Sequence, residues 1–422
     1  PNTIIKPNGR ERLSAVALLR RVLPYTDNAL RRVWEAGQDS PEKPQIFPST
    51  STVAVATYRV RVAAAATQES DVAKALRDYI VALGGNARPD DPLDQFAANT
   101  HLLARVRASG SAEHALRTRE VEQLLRLDGD WYLYGESVRN EYPDNADWTE
   151  IDGAFGALQR QLEISEVGGV PIYYALVAMD GDSMGDLLRE IAEHGGETES
   201  VSKLLVDFAT EARRIVYESN GRLIYAGGDD VLALFPLWLD TEGTRTVLDA
   251  CDRIRIAFRD AFDAWRSEHW LTAWGDWKPR SQSAGIVIAH HLAPLGRVLS
   301  NAQLLLKSWA KKKSGRDACA VQVMRRGGTS TTFSAKWAQG DRALVDDIRI
   351  LVRAMGDDAL STGIAHRLRN DVPLLSETGP FDDSSRKSWV RRILDRSGLD
   401  LDSSDSDAEE LASCIVALGR RS

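Results

Sequence analysis

The pattern of hydrophobic and polar positions divides the 422-residue chain into three segments. Residues 1–165 carry apolar side chains mainly at helical spacing, so this segment is predicted to be helical. Residues 166–326 alternate short apolar runs with longer amphipathic stretches, which predicts strands and helices in one domain. Residues 327–422 return to helical spacing, which predicts a second helical domain. The helices predicted in the two flanking segments span residues 11–22, 71–83, 112–127, 344–355 and 388–396.

The elements of the middle segment follow a βαββαβ order. This is the ferredoxin-like arrangement, and a further helix and strand are appended to it. The predicted strands cover residues 172–178, 222–226, 231–235, 283–290 and 318–323, and the predicted helices cover 184–194, 198–218, 243–267 and 295–312. The chain is therefore predicted to have an α+β fold.

Two adjacent carboxylates lie in a turn between two apolar runs at residues 222–237. The turn reads Gly227-Gly228-Asp229-Asp230, and strand-forming residues on both sides predict a β-hairpin. Like charges side by side repel each other and favour a cation between them. Mg²⁺ is such a cation, and it usually keeps nucleotide phosphates as further ligands.

A second acidic turn follows the first predicted strand of the same segment. It contains Asp180, Gly181, Asp182 and Ser183, and a predicted helix comes directly after it. Glycine lets the protein backbone come close to a ligand, and a helix N-terminus favours an anion. Asp and Gly are also common in turns without any function. Two such turns, each at the end of an apolar strand, favour a site for metal and phosphate.

A basic stretch closes the predicted helix at 295–312. Lysines occupy positions 311–313, and Gly315-Arg316 precedes the last predicted strand. Arginine can bind a phosphate through two parallel hydrogen bonds, and lysine can neutralise one as a point charge. Cations at a helix C-terminus are also stabilised by the helix dipole. Beside the two acidic turns, this stretch is interpreted as a candidate triphosphate clamp.

Composition narrows the classes of protein. The formal net charge is −8, so the surface as a whole does not attract nucleic acid, and contacts with RNA or DNA require local basic patches. The three cysteines are widely separated, so neither a disulfide scaffold nor a cysteine zinc site is expected, which fits a reducing cytoplasm. No apolar run approaches the roughly 20 residues that span a membrane. We therefore expect a cytoplasmic protein without membrane association.

Several motifs taken together resemble those of one known family. They are GRERL (9–13), FPSTSTVA (47–54), DGDWYLYGES (128–137), DGDSMG (180–185), YAGGDD (225–230), SAGIVIAHH (283–291) and AKKKSGRDA (310–318). With these motifs the chain is similar to the large polymerase/cyclase subunit of type III CRISPR effector complexes, of the Cmr type. The middle segment is also similar to nucleotide cyclases of the GGDEF type, which share the hairpin.

The resemblance implies both a fold and an activity. The fold is a ferredoxin-like palm of the nucleotide cyclase/polymerase type, flanked by helical domains. The activity is that of a nucleotidyltransferase, which joins ATP molecules by 3′–5′ linkages into cyclic oligoadenylate second messengers when target RNA pairs with the guide RNA. The implied partners are the other type III effector subunits, with guide RNA and target RNA contacted mainly through the complex.

Site residues follow from the same resemblance. The family's catalytic carboxylates, which hold two Mg²⁺ or Mn²⁺ ions, correspond to Asp180, Asp229 and Asp230. A metal-binding role for Asp182 is left open, as is the choice among the lysines at 311–313 for phosphate contact. The positions implied to bind the nucleotide are Gly181, Asp182, Ser183, Gly227, Gly228, Lys312 and Arg316.

The chain also departs from the family pattern. It contains no His-Asp dipeptide, so the HD nuclease domain of many members is not expected. Residues 14–17 read Ser-Ala-Val-Ala where members often carry zinc-binding cysteines, so no structural zinc is expected. The family's first palm is not visible ahead of 9–13. The paired ATP molecules would then need a second palm from a partner or from a second copy of this chain.

Three other interpretations stay open. A diguanylate-cyclase-like enzyme has the same fold, but its motif continues with an acidic residue and Phe, whereas Val231 follows Asp230 here. A catalytically silent scaffold of an RNA-guided complex is the second, although it would not need to keep adjacent carboxylates on a hairpin. A stand-alone DNA polymerase fits the negative net charge less well.

Overall fold

A computed structural model of the chain describes residues 48–83, 127–133, 148–194, 198–269, 277–339, 342–356, 382–395 and 413–415. The chain divides into two compact units, Pro1–Pro171 and Ile172–Ser422. The helix predicted at 11–22 and nearly all of the helix predicted at 112–127 lie outside the described residues. The predicted division into three domains stays a prediction.

The described part of the first unit contains helices α1 (Thr50–Ala54), α2 (Ala56–Gln68), α3 (Ser70–Leu83), α4 (Asp130–Leu133) and α5 (Trp148–Ile164). Its core surrounds Trp131, whose side chain is fully buried. The hydroxyl of Tyr79 donates a hydrogen bond to the backbone carbonyl of Trp131 at 2.7 Å. Gly129 lies directly against α1, because a Cβ there would be 2.1 Å from the backbone carbon of Ser51. Helix α3 confirms the helix predicted over residues 71–83.

The second unit is built on a six-stranded sheet of order β2-β3-β1-β4-β5-β6. The strands are β1 (Tyr173–Gly181), β2 (Arg222–Gly227), β3 (Asp230–Pro236), β4 (Gln282–His290), β5 (Ala318–Met324) and β6 (Ser330–Lys336). Neighbouring strands are antiparallel except β4 and β5, which are parallel. The first four strands therefore have the ferredoxin-like order, and the predicted α+β fold is confirmed.

Helices cover both faces of this sheet. They are α6 (Met184–Glu193), α7 (Glu199–Glu218), α8 (Val247–His269) and α9 (Leu295–Leu304), which continues as a π-helix over Leu305–Lys313. Ala284 and Ile286 of β4 belong to the core formed with α7 and α8. Gly285 between them faces the other way, since a Cβ there would lie 2.2 Å from the carbonyl oxygen of Ala302 in α9. No helix of the described ranges has the length and apolar character needed to cross a membrane.

Buried aromatic rings hold α7 and α8 together. The rings of Phe208 and Phe258 meet edge to face with centroids 5.0 Å apart, and Phe258 and Phe262 are 4.8 Å apart. All three side chains are almost completely removed from water. Burial of one such ring stabilises the fold by about 2–3 kcal/mol. This layer gives β1 and β3, which carry the acidic motifs, a rigid support.

Three strands lie in the segment that was predicted to be helical. They are β6, β7 (Ala338–Gln339) and β8 (Arg342–Ala343), so the helical prediction is wrong for them. Strand β6 reads STTFSAK, lies at the sheet edge and buries only Ser334 and Ala335, so its hydrophobic pattern is weak. The later part of the segment is helical as predicted, in α10 (Leu344–Gly356) and α11 (Asp383–Asp395).

Candidate functional site

Three carboxylates meet where the hairpin of β2 and β3 reaches the end of β1. Gly227 pairs with Asp230 across the hairpin, so Gly228 and Asp229 form the tip. Gly228 has φ +64°, a conformation that glycine adopts without strain. Since β1 pairs with β3 up to Met179, Asp180 lies beside the tip. The two acidic motifs of the sequence are thus neighbours in space.

Gly181 is required by the packing of the hairpin tip. A Cβ on Gly181 would lie 2.8 Å from both the Cβ and the Oδ2 of Asp229, and 2.9 Å from the Cγ of Met184. These distances are shorter than a side chain at 181 could tolerate. Gly181, which the sequence associates with nucleotide approach, here lets Asp229 lie against the end of β1.

Burial and neighbouring charge disfavour ionisation of the two hairpin carboxylates. Burial raises the pKa of Asp229, and the negative charge of Asp180 raises it further. Loss of hydration at the hairpin tip raises the pKa of Asp230 to about 6, and the charges of Asp180 and Asp229 contribute to that increase. Such mutual repulsion is the electrostatic signature of a site that needs a cation.

Lys311 supplies a cation to this cluster from the end of the π-helix. Its ammonium group donates hydrogen bonds to the carboxylate of Asp180 and, at 2.8 Å, to the carbonyl oxygen of Gly181. It also lies 3.7 Å from Oδ1 of Asp182. A divalent ion bound by Asp180 would have to displace this ammonium group.

The other two lysines of the basic stretch point elsewhere. Lys312 is exposed and lines an open pocket together with Lys307, Lys311 and Arg316. The ammonium group of Lys313 lies 4.5 Å above the ring of Trp309. Lys311 is therefore the lysine that reaches the carboxylates. Lys312 stays the candidate for an incoming phosphate.

Asp182 holds the framework of the site together. Its side chain is 4% exposed and accepts hydrogen bonds from Ser281 Oγ at 2.8 Å, Ser283 Oγ at 2.9 Å and the backbone N–H of Asp317 at 2.9 Å. These bonds connect the end of β1, the start of β4 and the turn before β5. Because both carboxylate oxygens of Asp182 already accept hydrogen bonds, a positioning role is favoured over direct contact with a nucleotide.

The turn before β5 has an unusual backbone that displays Arg316. Gly315, Arg316 and Asp317 have φ values of +74°, +64° and +43°. Left-handed non-glycine residues cost about 1 kcal/mol or more each, so the surroundings must hold them. Lys336 does so by donating hydrogen bonds to the carbonyls of Gly315 at 2.8 Å and Arg316 at 2.6 Å, and Arg255 lies 3.6 Å from the Asp317 carboxylate.

Sequence reasoning missed these supporting residues. Lys336 lies on β6, outside the predicted palm, and Arg255 is a buried arginine within α8. Of the serines that bind Asp182, Ser281 directly precedes β4 and Ser283 lies in it, and only Ser283 falls inside a motif quoted from the sequence. Gly315 beside an arginine was the one local signal for the unusual turn.

The carboxylates fit a divalent metal ion by their chemistry. Mg²⁺ and Mn²⁺ prefer carboxylate oxygens, and Asp180, Asp229 and Asp230 offer them at one place. Within the described ranges, however, no three or more His, Cys, Asp or Glu side chains are already arranged around one ion position. Phosphate oxygens of a bound nucleotide are therefore expected to complete the coordination.

We predict that Asp230→Asn stabilises the metal-free protein at neutral pH. Because the pKa of Asp230 is raised to about 6 in the folded state, folding is less favourable once the group ionises, and stability falls as the pH rises through about 6. The variant should be more stable by about 1 kcal/mol near pH 7.5, after allowance for solvent screening. The difference should disappear near pH 4. Thermal unfolding in a chelator at both pH values measures it, and a less stable variant at pH 7.5 would contradict the prediction.

Comparisons with known proteins agree with this geometry. Residues 173–320 match the Cas10/Cmr2 second palm domain family. The CRISPR system Cmr subunit Cmr2 of Pyrococcus furiosus is 32% identical over 196 residues, which cover 41% of this chain and 21% of that protein. A chain in the cryo-EM structure of type III-B Cmr-beta in the apo state superposes with a TM-score of 0.50 at 15% identity.

Both relatives are longer than the region that this chain matches. The structural match covers 99% of this chain and 52% of the other, and at 15% identity it shows a shared fold alone. The chain thus spans 21% of the curated relative's length and about half of the solved one. The family match includes both acidic motifs and the basic stretch with Lys311 and Arg316. The resemblance found in the motifs is confirmed over this region, since residues 173–320 match the second palm domain of Cas10/Cmr2.

Proposed function

We propose that this chain is a nucleotidyltransferase of type III CRISPR defence, which converts ATP into cyclic oligoadenylates when target RNA is bound to the guide-RNA complex. The observation that supports it best is the meeting of Asp229 and Asp230, at the hairpin tip, with Asp180 at the end of β1. These carboxylates lie within the region that matches the second palm domain of Cas10/Cmr2. Adjacent carboxylates with raised pKa values cost folding free energy, and a turn with a purely structural role does not need them.

The proposed reaction joins two ATP molecules. The 3′-oxygen of one forms a bond to the α-phosphorus of the other, the bond from that phosphorus to the β-phosphate oxygen breaks, and pyrophosphate leaves while the hydroxyl proton passes to solvent. Mg²⁺ or Mn²⁺ held by Asp180, Asp229 and Asp230 would lower the pKa of the attacking hydroxyl and stabilise the leaving group.

The chain's own residues would orient the nucleotide. Arg316, displayed by its left-handed turn, and exposed Lys312 are placed to bind phosphate oxygens. Gly228 leaves open space at the hairpin tip for the nucleotide, whereas the Tyr225 side chain already covers Gly227. Lys311 would leave the carboxylates on ion binding and become available to a phosphate.

We also propose that the chain acts within a multi-subunit effector. The relative from Pyrococcus furiosus is a Cmr subunit, and the solved relative is part of type III-B Cmr-beta. By analogy, other type III subunits, guide RNA and target RNA would be the partners. The net charge of −8 fits an arrangement in which neighbouring subunits provide most RNA contacts.

A catalytically silent scaffold is the second candidate. Two observations favour it: the Lys311 ammonium group lies among the carboxylates, and no ready set of metal ligands exists in the part of the chain that is described. A scaffold would bind its partners without consuming ATP.

The proposed function is tested by incubating the chain with ATP and Mn²⁺ or Mg²⁺, with and without guide and target RNA, and resolving the products by mass spectrometry. We expect cyclic oligoadenylates whose formation requires the divalent ion. Dependence on target RNA would support the effector role. Nucleotide binding without any product, even with partner subunits added, would favour the scaffold, and cyclic products from GTP alone would favour a diguanylate-type enzyme.

A further inference from the structure

The side chain of Gln282 reaches the hairpin tip from another strand. Gln282 begins β4 and pairs with Gly181, the last residue of β1. Its Nε2 donates a hydrogen bond to the backbone carbonyl of Asp229 at 2.9 Å. Residues that lie directly opposite each other in antiparallel strands point to the same face of the sheet, and Asp229 lies where a Cβ of Gly181 would be. The lack of a side chain at Gly181 therefore lets Gln282 and Asp229 meet.

The bonded carbonyl belongs to the peptide group that joins Asp229 to Asp230. A peptide group is planar, so a hydrogen bond to its carbonyl restrains the Cα atoms on both sides of it. One side chain of β4 thus restrains both carboxylates of the hairpin. The tip needs such a restraint, because three like charges at one place would otherwise push it away from Asp180.

Burial of Gln282 is costly unless this contact has a use. The residue is 0% exposed, and its Oε1 has no hydrogen-bond partner among the described residues. A buried amide oxygen without a partner costs free energy that an apolar side chain of the same size would not cost. The reverse orientation of the amide would place its oxygen against the carbonyl oxygen of Asp229. The contact with Asp229 therefore explains a glutamine at this position better than core packing does.

The backbone of Gln282 is itself held in place. Pairing between β4 and β5 begins only at Ala284, so the strand ladder does not continue to Gln282 on that side. Its carbonyl accepts a hydrogen bond from the indole Nε1 of Trp337 at 3.0 Å instead. Trp337 is fully buried, and its backbone N–H donates to the carbonyl of Asp317 at 3.0 Å. Gln282 is thus a fixed point from which the hairpin tip can be oriented.

Gln282 restrains the tip without occupying the place of a metal ion. The ammonium group of Lys311 also holds the cluster, but it binds the carboxylate of Asp180 and would have to leave when a divalent ion binds. The amide of Gln282 is neutral and bonds a backbone carbonyl, so this bond can persist when the ion is bound.

We infer that Gln282 is a positioning residue, whose amide holds the Asp229–Asp230 peptide so that both carboxylates face Asp180 before a divalent ion binds. The inference rests on the proposed function for the role of that ion. A cluster that is ordered beforehand binds an ion more tightly, because less binding free energy is used to order the hairpin. It also keeps the ion in place during transfer, where a small displacement is costly.

The inference is tested by the Mn²⁺ affinity of the full chain without nucleotide, measured by electron paramagnetic resonance of the free ion. Gln282→Met keeps the length of the side chain and removes the donor, and it should weaken Mn²⁺ binding by about 5-fold. Its midpoint of thermal unfolding should be unchanged or higher, because the unpaired amide oxygen is removed as well. A purely structural role would instead lower the unfolding midpoint and leave the Mn²⁺ affinity of the folded protein unchanged.

Kinetics with ATP give a second measurement of the same variant. At saturating Mn²⁺, Gln282→Met should lower kcat by about 10²-fold, because the ion is held in a less exact position. The KM for ATP should be nearly unchanged, since the amide bonds the protein backbone and not the nucleotide.

Gln322→Met is the matched control. Gln322 lies in the middle of the sheet, paired with Val287, and its side chain also donates a hydrogen bond, to Thr332 at 3.2 Å. This variant should bind Mn²⁺ as the unaltered chain does. Gln282→Asn keeps an amide that is one methylene shorter, so its Mn²⁺ affinity should lie between those of Gln282→Met and the unaltered chain.

Equal Mn²⁺ affinity of Gln282→Met and the unaltered chain overturns the inference. If Gln282→Met does not fold, the same result for Gln282→Asn overturns it, and so does a lack of Mn²⁺ binding by the unaltered chain. Gln282-dependent Mn²⁺ binding in a chain that makes no oligoadenylate, even with RNA and partner subunits, would instead overturn the proposed function and leave the positioning role standing.

Discussion

Asp229→Asn is expected to lower the rate of the proposed nucleotidyl transfer by about 10³-fold or more. Asn keeps the size of the side chain and removes the charge that a divalent ion requires. Gly181 allows Asp229 to lie against the end of β1, beside Asp180, so no neighbouring carboxylate can take its place without moving the hairpin. Product formation from ATP under saturating Mn²⁺ measures the effect, and Asp180→Asn should lose activity to a similar extent.

The control for this experiment is Asp207→Asn. Asp207 is an exposed carboxylate on α7, and its replacement changes the net charge equally. The control should keep full activity. The Asp229→Asn protein should remain folded and should not be less stable than the unaltered chain, because burial raises the pKa of the carboxyl that it replaces. Retention of more than about a tenth of the activity by Asp229→Asn would mean that Asp229 is not a metal ligand.

Gly285→Ala is expected to destabilise the palm by about 3 kcal/mol and to lower its activity. A Cβ at this position would lie 2.2 Å from the carbonyl oxygen of Ala302 and 2.6 Å from the backbone N of Leu306. Both contacts are with backbone atoms, so the helix itself must move away from β4. The same helix carries Lys311 and leads into the turn of Arg316, and its displacement would disturb both. Thermal unfolding and ATP turnover below the unfolding range measure the two effects.

Gly296→Ala is the matched control on the same helix. Nothing lies within 4 Å of a Cβ at Gly296, and the residue is in the first turn of α9. Replacement of a helical glycine by alanine there should leave stability unchanged or raise it by up to about 1 kcal/mol. If Gly285→Ala were as stable as this control, the close approach of α9 to β4 would not hold in solution.

Local sequence patterns were sufficient for the elements that carry the site. The apolar runs at 172–178 and 231–235 predicted β1 and β3, since a buried strand in the middle of a sheet is apolar on both faces. Gly-Gly-Asp-Asp between two such runs predicted the hairpin. The acidic motifs were recognised because turn chemistry and strand ends are properties of a few neighbouring residues. Strand β6 was missed because an exposed edge strand has no apolar face to read.

The amino-acid sequence by itself determined that two acidic turns and a basic stretch exist, and that the fold brings strands and helices together in ferredoxin-like order. Only the tertiary structure decided which lysine reaches Asp180, because that depends on how the π-helix lies against β4 at Gly285. It also decided that Asp182 supports the framework of the site. These roles arise from contacts between residues about 100 or more positions apart, which no local pattern records.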